Sequence, residues 1–66
     1  MIAELEEAVE EAIRQIEQDV KHYEGLVDYC VRQKDFYSAM KHQTTVKGLA
    51  RAITHLENKL ANNFEL

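Results

Sequence analysis

The 66-residue chain predicts an all-α fold: an antiparallel helical hairpin, with helices over about 2–32 and 36–62, assembling into a homo-oligomeric helical bundle. Three observations predict it. Apolar residues recur at steps of three and four, the helical period rather than the strand period of two. The chain has no Pro and only 2 Gly, so little in it breaks a helix. A chain this short also buries only about 60% of its unfolded surface and is marginal without a disulfide, a metal or a second copy. One Cys forms no internal disulfide, and no Cys/His cluster has zinc spacing, which leaves oligomerisation.

The first helix carries its stripe at Ile2, Leu5, Val9, Ala12/Ile13, Ile16, Val20, Tyr23, Val27 and Cys30. Glu4, Glu6 and Glu7 suit the positive end of its dipole, and Arg32 and Lys34 suit the negative end. The stripe stops at Arg32-Gln33-Lys34-Asp35, and Asp35 is the best N-cap in the chain. The second stripe runs Phe36, Ala39/Met40, Gln43, Val46, Leu49/Ala50, Ile53, Leu56, Leu60 and Phe64, with Asn62-Asn63 as the stop. A short connection makes the helices antiparallel. Reflection about the turn then brings Ile13 to Ile53, Val20 to Val46, Val27 to Met40, and Ile2/Leu5 to Leu60/Phe64. The whole chain, 1–66, is one domain.

Charge is divided between the halves. Residues 1–31 hold nine acidic and two basic side chains, net −7; residues 32–59 hold six basic and two acidic, net +4; Glu65 brings the total to −4. Opposite charges on neighbouring helices favour antiparallel pairing. The composition excludes a multidomain enzyme, and no apolar run approaches the ~18 residues of a membrane span. The acidic start Met1-Ile2-Ala3-Glu4 is not that of a secretory leader, and a lone Cys fits a reducing, cytoplasmic setting.

The stretch Lys34-Asp35-Phe36-Tyr37-Ser38-Ala39-Met40-Lys41 resembles the turn of a tetratricopeptide-type helix pair, in which a small polar turn leads into an aromatic and then an Ala. The resemblance covers these eight residues and implies hairpin geometry, with Ala39 as the close-contact position. In size, acidic first helix and Ala/Leu-containing second helix, the chain also resembles the short two-helix accessory proteins of phage genomes. Such proteins act as inhibitors or adaptors. In architecture it is similar to the Rop-type plasmid regulators, hairpins that dimerise into four-helix bundles.

No catalytic signature is present: no Gly-rich phosphate loop, no Cys–His pair at a known spacing, no nucleophile elbow. The chain is therefore expected to be no enzyme, and no cofactor is expected. Asp19-x-x-His22 has the spacing of half a bundle di-metal site, but it occurs once and His22 lies off the stripe, so no metal is expected. Tyr23 and Gln43 fall on facing stripes and form either a register-fixing polar layer or a ligand-facing one. Cys30 reads as a small buried apolar residue near Phe36.

Gly25 and Gly48 both point away from the internal stripe. Gly25 is either tolerated in a continuous helix or marks a break as a C′ residue. Each could also clear space on the outer face. Beside Gly48 lie Tyr37, Lys41, Thr44, Thr45, Arg51, Ala52, His55 and Lys59, a strip without an acid. Of these, Tyr37, Lys41, Thr44, Thr45, Gly48, Arg51 and His55 are the candidate ligand-binding residues. Cationic side chains and hydroxyls could hold an anion there, and Tyr37 could stack on a base. The alternative is a solvated face, paired with the acidic helix of a neighbouring copy.

The two stripes span roughly 140° and 200°, more than a two-helix seam covers. Leu26, Val31, Met40, Leu49 and Leu56 lie at the margins and are the expected oligomer interface, in a homodimer at least. Function then reads first as a non-enzymatic interaction protein that modulates a macromolecular partner, its acidic helix suited to a basic one. An anionic, nucleotide-like small molecule sequestered at the basic strip is the alternative. Rop-like RNA binding is a second, disfavoured by the net charge of −4.

Overall fold

The computed structural model describes residues 2–64, with the side chains of residues 3–62. Helix α1 spans Ile2–Arg32 and helix α2 spans Phe36–Phe64. They form an antiparallel hairpin, a rod of 49 × 15 × 10 Å. Both helices start where the stripes predict. α1 is continuous through Gly25, so that glycine marks no break. α2 runs through Asn62 and Asn63 to Phe64; two residues of weak helix propensity do not end it. The expected meeting of Ile2 and Phe64 falls outside the described side chains.

The turn is built from backbone hydrogen bonds. The Lys34 N–H donates to the Val31 carbonyl at 2.9 Å, and the Asp35 N–H donates to the Cys30 carbonyl at 2.8 Å. This pair of bonds is the Schellman arrangement, which satisfies carbonyls that the end of a helix leaves open. Its C′ residue is Lys34, with a φ of 61°, among the described residues the one non-glycine in the left-handed region. Asp35 follows as the N-cap: its Oδ1 accepts the Ser38 N–H at 3.2 Å, and its carbonyl accepts the Ala39 N–H at 3.1 Å. Bonds from the side chain and the backbone of Ser38 hold the Asp35 carboxyl below its ordinary value.

The buried and half-buried residues repeat at alternating steps of three and four. In α1 they include Glu6, Val9, Ile13, Ile16, Val20, Tyr23, Val27 and Cys30; in α2, Ala39, His42, Val46, Leu49, Ile53, Leu56 and Leu60. Seven residues per two steps is the coiled-coil heptad. Writing each heptad abcdefg, position a holds Ile13, Val20 and Val27 in α1 and Ala39, Val46 and Ile53 in α2. Only Ile13, Ala39 and Val46 are buried outright among the described residues. Ala39, the first of these in α2, is buried beside the turn.

This seam corrects the expected α2 stripe at four places. Gln43 is exposed, and His42 faces α1 in its stead, its ring 5.8 Å from that of Tyr23. There is accordingly no Tyr23–Gln43 layer. Phe36 and Met40 are 59% and 71% exposed, so Val27 does not pack on Met40. Ala50 is exposed while Ala52 is half-buried. The expected stripe counts forward from the aromatic Phe36. The turn instead sets the rotation of α2 from Asp35 so that Ala39 faces inward, which puts Phe36 and Gln43 on a flank. Cys30 is half-buried rather than buried, and its thiol is free.

The turn can be tested at both of its central residues. Lys34→Gly removes the steric cost of a left-handed L-residue and stabilises the hairpin by about 0.5–1 kcal/mol, net of the extra freedom glycine has when unfolded. Lys34→Val has the opposite sign; denaturant titration of both checks this. For Asp35, the folded pKa is lowered, so its contribution is present above the unfolded value and lost as pH falls through the folded one. Asp35→Asn keeps an acceptor without the charge. The stability difference between parent and Asn variant should therefore shrink as pH falls below about 4.

Candidate functional site

The outer face of α2 presents the basic strip. Tyr37, Lys41, Thr44, Thr45, Gly48, Arg51 and His55 are all exposed, so one helix does bring the candidate ligand residues to one surface. They sit at positions f, c and g of successive heptads. Their donors are fewer than the sequence suggests. The Thr44 hydroxyl donates to the Met40 carbonyl at 3.0 Å, and the Thr45 hydroxyl to the Lys41 carbonyl at 3.3 Å. Threonines bonded back to the preceding turn offer an approaching anion lone pairs rather than protons. The Lys41 ammonium lies 5.6 Å from the centre of the Tyr37 ring, one turn away, within cation–π range.

The strip also divides along its length. Lys41 and Arg51 are ten residues apart, or about 15 Å along the axis. One small ligand does not span both. The compact part is a shallow, open groove lined by Ala50, Arg51, Thr54 and His55. Arg51 and His55 are one turn apart and Ala50 leaves room between them. The Thr54 hydroxyl is again committed, to the Ala50 carbonyl at 3.2 Å. Within this groove the polar recognition falls to Arg51 and His55.

A second surface lies at the turn. Val31, Phe36, Tyr37 and Met40 are 47%, 59%, 74% and 71% exposed. Val31 and Phe36 occupy e positions of α1 and α2, and Met40 and Tyr37 continue the patch round α2. Asp28 and Asp35 are exposed at the same end of the rod. Of these four, Val31, Met40 and Tyr37 are expected at the surface from the sequence, the first two as stripe margins, while Phe36 falls on the internal stripe when counted forward from the turn. Counting heptads backward from Val46 to Ala39 places Phe36 on the flank instead.

The five expected interface residues do not share one surface. Leu49 and Leu56 are half-buried in the hairpin seam; Val31 and Met40 belong to the exposed turn patch; Leu26 is half-buried on the opposite flank. His22 is exposed, its ring edge-on to Tyr23 at 5.4 Å. Among the described residues no group of three His, Cys, Asp or Glu side chains is placed to hold a metal ion. On α1, Glu11 and Arg14 pair at 2.6 Å; this bond lowers the Glu11 pKa and raises that of Arg14. The pair is exposed and local, the kind that adds little to stability. No described helix is long and apolar enough to cross a membrane.

No protein-family model matches the chain, no curated protein matches it, and no solved structure matches it.

A Cβ added at Gly25 or Gly48 meets nothing within 4 Å. Neither glycine serves the packing of α1 on α2. In the isolated hairpin Gly25→Ala and Gly48→Ala should each stabilise by about 0.5–1 kcal/mol through helix propensity. Thermal unfolding of the single and double variants should show two additive upward shifts in Tm.

Proposed function

We propose that the chain is a non-enzymatic, oligomeric interaction protein that binds and modulates a macromolecular partner, with the turn end of the hairpin as its contact surface. The exposed cluster of Val31, Phe36, Tyr37 and Met40 carries this reading. Large apolar and aromatic side chains held on a rigid turn supply anchor residues of the type that dominates binding energy at interfaces. The acidic surface of α1, net −7 over residues 1–31, suits a partner with a basic face. The resemblance to phage-type accessory proteins supports a role as inhibitor or adaptor.

A second reading rests on the groove at Arg51 and His55, which suits a single phosphate or carboxylate group better than an extended nucleotide. The two readings separate experimentally. The double variant Phe36→Ser/Met40→Ser should keep its helix content and lose at least tenfold in affinity for a partner captured by the parent, whereas Arg51→Ala should bind that partner as the parent does. The reverse pattern, with calorimetric heat against a nucleotide panel that vanishes in Arg51→Ala, would overturn the interaction reading in favour of sequestration. A salt-sensitive gel shift with structured RNA, unaffected by the double variant, would overturn it in favour of RNA binding.

A further inference from the structure

The two flanks of the hairpin differ. Position e of both helices forms one flank: Glu10, Glu17, Glu24 and Val31 on α1, and Phe36, Gln43, Ala50 and Glu57 on α2. Every one of these eight is exposed. Position g forms the other: Leu5, Ala12, Asp19 and Leu26 on α1, and Ser38, Thr45, Ala52 and Lys59 on α2. Here Ala12, Leu26, Ser38 and Ala52 are already half-buried within one chain. In each helix half of these g positions thus turn partly inward and none of the e positions does, which widens the a/d stripe on the g side. That wider stripe belongs to helices packed in a bundle; a two-stranded seam uses a and d alone.

We infer that a second copy of this chain packs on the flank of Leu5, Ala12, Leu26, Ser38 and Ala52, completing a four-helix bundle across a two-fold axis. The inference rests on the oligomeric part of the proposed function and adds the face.

Charge selects the flank. The e flank carries four glutamates and no cation, so two copies meeting there would bring acid against acid. The g flank carries one acid, Asp19, and one base, Lys59. Size supports it. The pairing of Tyr23 with His42 fixes a register in which Ala12 lies level with Ala52, and both are small enough to let a neighbouring helix approach closely at that level. Area supports it as well. The chain exposes 5331 Å². Compact monomers of 7.7 kDa expose about 4300 Å², and the excess of about 1000 Å² is similar to the ~800 Å² that each partner gives to a standard interface. The turn patch of Val31, Phe36 and Met40 lies on the opposite flank and stays open in such a dimer.

Sedimentation of the full chain at micromolar concentration tests this, with Ala52→Glu on the g flank and Ala50→Glu on the e flank. The parent and Ala50→Glu should sediment as the same oligomer, and Ala52→Glu should fall to the 7.7 kDa monomer. A monomeric, cooperatively folded parent would overturn the oligomeric reading itself. An oligomeric parent whose mass survives Ala52→Glu would overturn the face alone. Because a buried Glu can also unfold a chain, the milder variants Ala52→Cys and Ala50→Cys, each with Cys30→Ser, give an independent measure. A short bismaleimide should link chains of the Ala52→Cys variant into covalent dimers faster than chains of the Ala50→Cys variant. Equal or faster linking of the Ala50→Cys variant overturns the assignment.

Discussion

The rotation of α2 about its own axis is set within three residues, and the rest of the molecule depends on it. The Asp35 N–H reaches back to the Cys30 carbonyl while the Asp35 carboxylate reaches forward to the Ser38 N–H. One residue thus closes α1 and opens α2. Lys34 takes the left-handed conformation that the first bond demands. Because both ends of Asp35 are held, α2 leaves the turn with Ala39 inward. A rotation of one residue, about 100°, would bring Met40 and Gln43 into the seam and drive His42 out. The exposed Phe36 and Met40, the Tyr23–His42 contact and the half-buried Ala52 are all consequences of that angle.

A two-helix rod has one seam and no interior. Nearly every described residue in it keeps a share of its surface in water, which is why only Ile13, Ala39 and Val46 are buried among them. Hydrophobic stabilisation scales with area removed from water, so half-buried seam residues contribute only part of what they would in a bundle. The length of the helices compensates in part, since the heptad repeats along the whole rod. The a/d/g stripe shows where further burial remains available. The proposed second copy would supply burial that one hairpin lacks.

The helices and their starts were legible because periodicity, the lack of Pro and the N-cap at Asp35 agree with one another. Most of the α2 seam was legible too, from Ala39 and Val46 to Leu60; the outward placing of Phe36, Met40, Gln43 and Ala50 was not. Phe36 is the largest apolar residue after the turn, and counting forward from it gives a plausible stripe through Met40 and Gln43. Residue type cannot reveal that Phe36 stands in the first turn of a helix whose phase a cap has already fixed. His42 was passed over for the mirror-image reason: it is polar by type, yet its ring packs on Tyr23. The basic strip was legible as a set of exposed residues, because outward positions follow from the helical period. What the sequence could not reveal was the state of the hydroxyls. Thr44, Thr45 and Thr54 commit their protons to the carbonyl one turn back, and this weakens the case for an anion more than any change in position does.

The acids of α1 acquire a meaning from the same geometry. Of the nine in residues 1–31, only Asp19 lies at position g. The others occupy the e flank, the outer positions and, in Glu6, the open end of the seam. A net charge of −4 says little by itself, since it averages a basic helix with an acidic one. Sorted by heptad position, the charge is sparse where a second copy would have to desolvate it and dense where water remains. Removing those carboxylates from water would cost far more than the ion pairs formed could return. The acidic surface is thus kept clear of the proposed self-contact, and on the interaction reading proposed above it is the part of the chain left for a partner. Long-range attraction would guide a basic partner along α1, and the apolar turn would hold it once it arrived.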